Sequence, residues 1–143
     1  MSITHDLLAQ YMCRGDPELK DYYPEWLKDI AEDATVEGSM LDGVVVGAEN
    51  VRSVVLKIKS LYDRQEFISV GRYGENDWIE EYTAHVHGKP LGCVALVKRN
   101  GAGQTRHVVA SYRPRSSVAF FARLLAQEFA GTALAKHFAA NDS

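Results

Sequence analysis

The period of apolar positions changes part-way along the chain. Up to residue 62 they recur at spacings of three and four; beyond it they alternate. Ile3, Leu7, Leu8, Tyr11 and Met12 predict a first amphipathic helix that Gly15 stops. Asp16-Pro17 opens a second helical stretch, which Pro24 restarts. Its apolar stripe is Trp26, Leu27 and Ile30, with Glu25, Lys28 and Asp29 turned to water. Residues 34–38 (ATVEG) read as a short strand and residues 39–43 as a turn-rich loop. The clearest helix is 48–62, apolar at 51, 54, 55, 58, 61 and 62, with Arg52, Lys57 and Lys59 elsewhere on the wheel.

Alternation then predicts four strands, at 67–73, 78–87, 91–99 and 105–113. The breaks between them are short and built of turn formers, which implies an antiparallel meander. Pro114 ends the last strand, Ser116-Ser117 cap a helix running to Ala130, and Gly131 sets off a frayed tail over 131–143. With no repeat and no linker, residues 1–143 read as a single α+β domain. The order of elements signals a curved antiparallel meander wrapped around the N-terminal helices, plus a C-terminal helix.

Composition narrows the function classes. The chain is 46% hydrophobic and 24% charged, so it can build a core and is not a disordered segment. Its net charge is −3, which argues against nucleic acid and anionic membranes as partners. Cys13 and Cys93 lack metal-site or disulfide-frame spacing and read as reduced thiols. The opening residues do not read as a secretion signal, and no apolar run is long enough to span a bilayer, so a cytoplasmic location is expected.

The segment Ile30-Ala31-Glu32-Asp33-Ala34-Thr35-Val36-Glu37-Gly38, followed by Gly47-Ala48-Glu49, resembles the corresponding stretch of ketosteroid isomerases. With the order of elements, it places the chain beside the nuclear transport factor 2-like superfamily, a cystatin-like α+β cone. That cone-shaped barrel is shared by ketosteroid isomerases, polyketide cyclases of the SnoaL type, scytalone dehydratase and limonene epoxide hydrolase. The resemblance implies a hydrophobic small-molecule pocket, and homodimers are usual in the superfamily. It does not carry steroid isomerisation. The isomerase's aspartate base falls on Gly38 and its protonated aspartic acid on Ala95; its tyrosine corresponds to Tyr11.

Alternation puts Trp78, Glu80, Tyr82, Ala84 and Val86 on one face of their strand, and Leu91, Cys93, Ala95 and Val97 on one face of the next. The resemblance turns these faces into the cone and adds Val108, Ala110 and Tyr112. Glu80 is the anomaly in an apolar set. It is either a proton-transfer group, with Tyr11, Tyr82 or Tyr112 as donors to a substrate oxygen, or an ion pair with Arg72 or Arg106. Glu80 and Tyr11 are thus the candidate catalytic residues, and Trp26, Trp78, Tyr82, Cys93, Val108 and Tyr112 the candidate ligand contacts. Asp42 reads as turn chemistry. His85 and His87 share an outward face, with His107 expected on it two strands away; they reach zinc only if a third ligand converges, so no metal is expected. The glycines at 71, 74, 101 and 103 lie in hairpin turns, and no cofactor motif appears. The helix after Pro114 is apolar around most of its girth, which suggests a lid or a dimer surface. The expectation is cofactor-free acid/base chemistry as a cyclase, isomerase, dehydratase or hydrolase; the alternative is a non-catalytic binding or dimerisation module.

Overall fold

A computed structural model describes residues 23–138. The expected helix around Ile3–Met12, the helical start at Asp16-Pro17, Tyr11, Cys13 and residues 139–143 lie outside that range. A single turn, α1 (Glu25–Lys28), leads into β1 (Ile30–Gly38). Then come β2 (Val45–Val46), α2 (Ala48–Ser60), β3 (Arg64–Tyr73), β4 (Asp77–Val86), β5 (Lys89–Arg99), β6 (Thr105–Arg113) and α3 (Arg115–Glu128). A 3₁₀ turn at Ala135–His137 follows. The six strands form one curved sheet in the order β2-β1-β6-β5-β4-β3. The four-strand meander is as the alternation predicts, and β1 joins it parallel to β6. The fold is α+β, with a mixed sheet rather than a purely antiparallel one.

α2 lies on the concave face. Val51, Val54 and Ile58 are buried at the spacing of one helical stripe. They meet Val36, Ala95, Val97 and Val108 in one apolar core. Each such side chain contributes about 1.5–3 kcal/mol by leaving water. Gly47 precedes α2 at φ 105°, a conformation open to glycine, and donates its N–H to the Ala34 carbonyl.

Three boundaries differ from the sequence reading. β1 begins at Ile30, where a helical stripe is expected, because a register irregularity between Ile30 and Thr35 buries two successive residues and exposes the next two. That rhythm imitates a helix. β3 begins at Arg64, a start hidden because Arg64, Gln65 and Glu66 read as polar although Gln65 is buried; further along, an irregularity between Phe67 and Ser69 leaves Ile68 exposed. α3 is preceded by Pro114 with no side-chain cap, and Ser117 is buried inside the helix instead of capping it.

The C-terminal segment also differs. Beyond Gly131 the chain turns back and packs as far as Phe138, which stacks on Phe129 with ring centroids 4.9 Å apart. The Asp42 N–H donates to the His137 carbonyl at 2.8 Å, clasping this segment to the loop after β1. Leu134 and Phe138 are buried. The apolar girth of α3 is largely absorbed as well: Phe121 and Leu125 are fully buried, and Val118, Phe120 and Leu124 half-buried. The large exposed apolar side chains among the described residues are Tyr23, Val44, Val46, Ile68 and Tyr73, none of them in α3.

Candidate functional site

The sheet's curl leaves a cavity between α2 and the inner faces of β1, β3, β4, β5 and β6. Counted out through its mouth, the empty space is about 710 Å³, and the part able to hold the centres of water molecules is about 60 Å³. That is room for several waters or one compact ligand. Val54, Val55, Ile58, Phe67, Val108 and Ala110 supply apolar wall. Polar groups reach it from Lys59, Tyr62, Gln65, Glu80, Tyr82 and Tyr112.

Glu80 is on the inward face, as alternation predicts, and is only 4% exposed. Neither Arg72 nor Arg106 pairs with it, and no tyrosine among the described residues does. Its partners are two indoles: Trp78 Nε1–H donates to Oε2 at 3.0 Å and Trp26 Nε1–H to the same oxygen at 3.2 Å. Trp26 is held in turn by β6, where buried Thr105 donates its hydroxyl to the Trp26 carbonyl at 2.6 Å. Burial pushes the Glu80 carboxyl above its ordinary range, against the two indole N–H groups and the charge of Lys59, which favour the anion. Because Oε2 already accepts two hydrogen bonds, the proton of the neutral acid belongs on Oε1, which neither indole uses.

The tyrosines form a second polar level. Tyr82 stands two residues along β4 from Glu80, about 7 Å of strand. Its hydroxyl meets the Tyr62 hydroxyl at 2.7 Å, and Tyr62 also reaches Tyr112 at 3.2 Å. Burial raises all three phenols above their usual range. Cys93 sits behind them, fully buried between its strand partners Tyr82 and Tyr112. Its thiol is pushed up to about 12 by desolvation, so it is not a nucleophile at neutral pH.

The expected contacts therefore sort by position. Trp26, Tyr82, Val108 and Tyr112 line the cavity beside Glu80. Trp78 and Cys93 do not; Trp78 works from behind by orienting the carboxyl, and Cys93 is core. Tyr62, read from sequence as one more apolar helix position, turns out to be the hub of the hydroxyl cluster. Lys59 and Gln65 were not singled out either, since each looks like an ordinary surface residue in its local pattern. Outside the cavity, His107 Nε2 pairs with Glu37 at 2.9 Å and its Nδ1 meets Thr35 Oγ1. His85 is exposed on β4, and no group of three metal-ligating side chains occurs among the described residues. No helix there is long and apolar enough to cross a membrane.

No protein-family model and no curated protein sequence matches the chain, so the likeness to known proteins is structural. It is similar to an uncharacterized bacterial protein with a cystatin-like fold from Silicibacter pomeroyi, with TM-score 0.70 and 17% identity over 90% of this chain and 86% of that one. It is similar to a steroid delta-isomerase from Pseudomonas aeruginosa, with TM-score 0.66 and 16% identity over 91% and 94% of the two chains. A nuclear transport factor 2-like protein of unknown function from Burkholderia xenovorans gives TM-score 0.54 and 16% identity over 80% and 92%. The cystatin-like, nuclear transport factor 2-like fold implied by the sequence is the fold of this chain. Identities this low establish architecture and leave chemistry to the residues.

Proposed function

We propose that the cavity takes a hydrophobic, oxygenated small molecule and that Glu80 exchanges a proton with it, in a reaction of the isomerase, cyclase, dehydratase or hydrolase kind that needs no cofactor. The observation that carries this reading is the pair of indole N–H groups on a single oxygen of a carboxyl buried in an apolar cavity. Such a group stays neutral at pH values where an exposed glutamate is ionised, and it presents its proton on Oε1. Transfer of that proton to a ligand carbonyl, ether or epoxide oxygen leaves a carboxylate whose new charge falls where two donors already point. The fixed donors need no rearrangement as the charge develops.

The Pseudomonas steroid delta-isomerase shares the fold. Gly38 and Ala95 stand where the isomerase pattern puts its two aspartates, so a different substrate and a different proton route are proposed here. A rival reading is a non-catalytic binding module. It is favoured by the tyrosine hydroxyls, which bond to one another.

The deciding experiment is native mass spectrometry of the purified chain for a retained small molecule, followed by turnover of that molecule by wild type and Glu80→Gln. Proton transfer by Glu80 predicts a loss of about 10²–10⁴ in rate with the fold intact. Equal handling by both proteins, or binding without conversion, selects the binding module. A homodimer is a separate proposal. Sedimentation equilibrium tests it, and a monomer at micromolar concentration rejects it.

A further inference from the structure

Gln65 carries an unmet hydrogen bond into the cavity. Its side chain lines the cavity and is 8% exposed, and its Oε1 is buried with no partner among the described residues. Its place in β3 makes this unusual. It shares the inward face with Phe67 and stands directly opposite Ala84, so the alternation calls for an apolar residue there. A methionine of nearly the same shape would fill the site without burying a carbonyl oxygen. Folded chains leave few buried polar atoms unpaired, because each loses its hydrogen bond to water.

We propose that Gln65 is a recognition residue: its Oε1 accepts a hydrogen bond from a hydroxyl or N–H of the bound molecule. The assignment rests on the cavity being a ligand site and narrows what fits it. A neutral Glu80 offers a donor and so calls for an acceptor oxygen on the ligand. Gln65 calls for a donor. Ala84 lies four residues along β4 from Glu80, which separates the two levels by about 13 Å of strand, and both side chains reach inward from there. Phe67 and Tyr82 pair across the strands between those levels, with ring centroids 5.4 Å apart. The ligand class is a hydroxy-ketone or a similar molecule with an apolar two-ring body, an acceptor oxygen at one end and a donor at the other.

The test uses Gln65→Met and two probes, tetralone and a hydroxytetralone whose hydroxyl lies at the far end of the ring system from the ketone. Without ligand, the variant should unfold at the wild-type temperature or above it. A fall of more than about 4 °C would mean that Gln65 bonds within the protein, and overturns the assignment. By calorimetry, wild type should bind hydroxytetralone about tenfold tighter than tetralone, the effect of roughly one good hydrogen bond, and Gln65→Met should bind the two alike. Equal binding of both ketones by wild type overturns the role of Gln65 and leaves the cavity as a ligand site. A preference kept by Gln65→Met also overturns it, because another group then reads the hydroxyl. Failure of wild type to bind either ketone counts against both the assignment and the reading beneath it.

Discussion

Ala95 stands directly across β4–β5 from Glu80. The sequence resemblance sets Ala95 against the isomerase's carboxylic acid; in this chain the carboxyl at that level is on the neighbouring strand. Ala110, opposite Ala95 on β6, is small too. Across the sheet the Glu80 side chain therefore faces small methyl groups, while two indoles grip its carboxyl and the charge of Lys59 acts on it. Replacing Ala95 with a second carboxyl would set two acids side by side, and one would have to stay protonated.

The pH dependence of stability reports the state of Glu80. Its folded value lies above the ordinary 4.5, so between those two values the native chain holds a proton that the unfolded chain has lost. Unfolding free energy therefore falls as pH rises from about 4.5 through the folded value, and levels off above it. Glu80→Gln has no proton to release. Relative to wild type, it should gain stability across that same window. Denaturant titrations of both proteins from acid to mildly alkaline pH measure the difference. A difference that stays constant with pH would show that Glu80 takes up its proton in the fold at the same pH as in the unfolded chain, and overturns the raised value.

Gly38 cannot simply be given back the isomerase's base. A Cβ built at Gly38 lies 2.0 Å from the Ala110 carbonyl oxygen, and the following N–H, of Ser39, bonds that same oxygen at 3.1 Å. β1 and β6 run parallel there with Gly38 opposite Ala110, so any side chain pushes the two strands apart. Gly38→Asp should lose more than about 2 kcal/mol of stability and gain no turnover of a Δ5-3-ketosteroid. Conversion well above background by wild type or by the variant would show that another residue serves as the base.

The sequence made the meander legible because alternation is regular along β4, holds through Cys93, Ala95 and Val97 and through Val108, Ala110 and Tyr112, and the breaks between strands are short. Glu80 stood out for the same reason, as one charge in a run of Trp78, Tyr82, Ala84 and Val86. The start of β1 was hidden by its irregularity, and β2, two residues long, carries too little pattern to read. The grip of Trp26 on Glu80 was out of reach because Trp26 arrives from 54 residues away, through a turn held against β6 by Thr105. Gln65 was hidden by its neighbours: between Arg64 and Glu66 a glutamine reads as surface, and only the pairing with Ala84 shows that it faces inward.

α3 is part of the core, so deleting it should unfold the chain instead of merely separating subunits. Phe121 and Leu125 are fully buried, and the Phe121 ring meets Tyr62 with centroids 6.0 Å apart. Phe121→Ala should cost about 3–5 kcal/mol, the range for emptying a buried aromatic site. Ala119→Ser, at an exposed position on the same helix, should change stability by less than about 0.5 kcal/mol. Equilibrium unfolding in urea gives both values. A Phe121→Ala loss below about 1 kcal/mol would mean that α3 only rests on the sheet.

The hydroxyl cluster should behave as one unit centred on Tyr62. Tyr62 touches both other hydroxyls at hydrogen-bond distance. Removing the central oxygen with Tyr62→Phe takes a partner from two phenols at once. It should cost about 1–3 kcal/mol, the scale for stranding buried polar groups. Tyr112→Phe removes the longer, 3.2 Å contact with Tyr62 from a half-buried side chain and leaves the Tyr62–Tyr82 bond in place, so about 0.5–1.5 kcal/mol is expected. Once Tyr62 is phenylalanine, Tyr112 has no hydroxyl there to lose. The double variant should then fall short of the sum of the two single losses by more than about 0.5 kcal/mol, beyond the scatter seen for independent sites. Denaturant unfolding of the four proteins closes the cycle. Additive losses would show that the two contacts act separately, and the tyrosine level of the cone would then be three neighbouring side chains with no shared network.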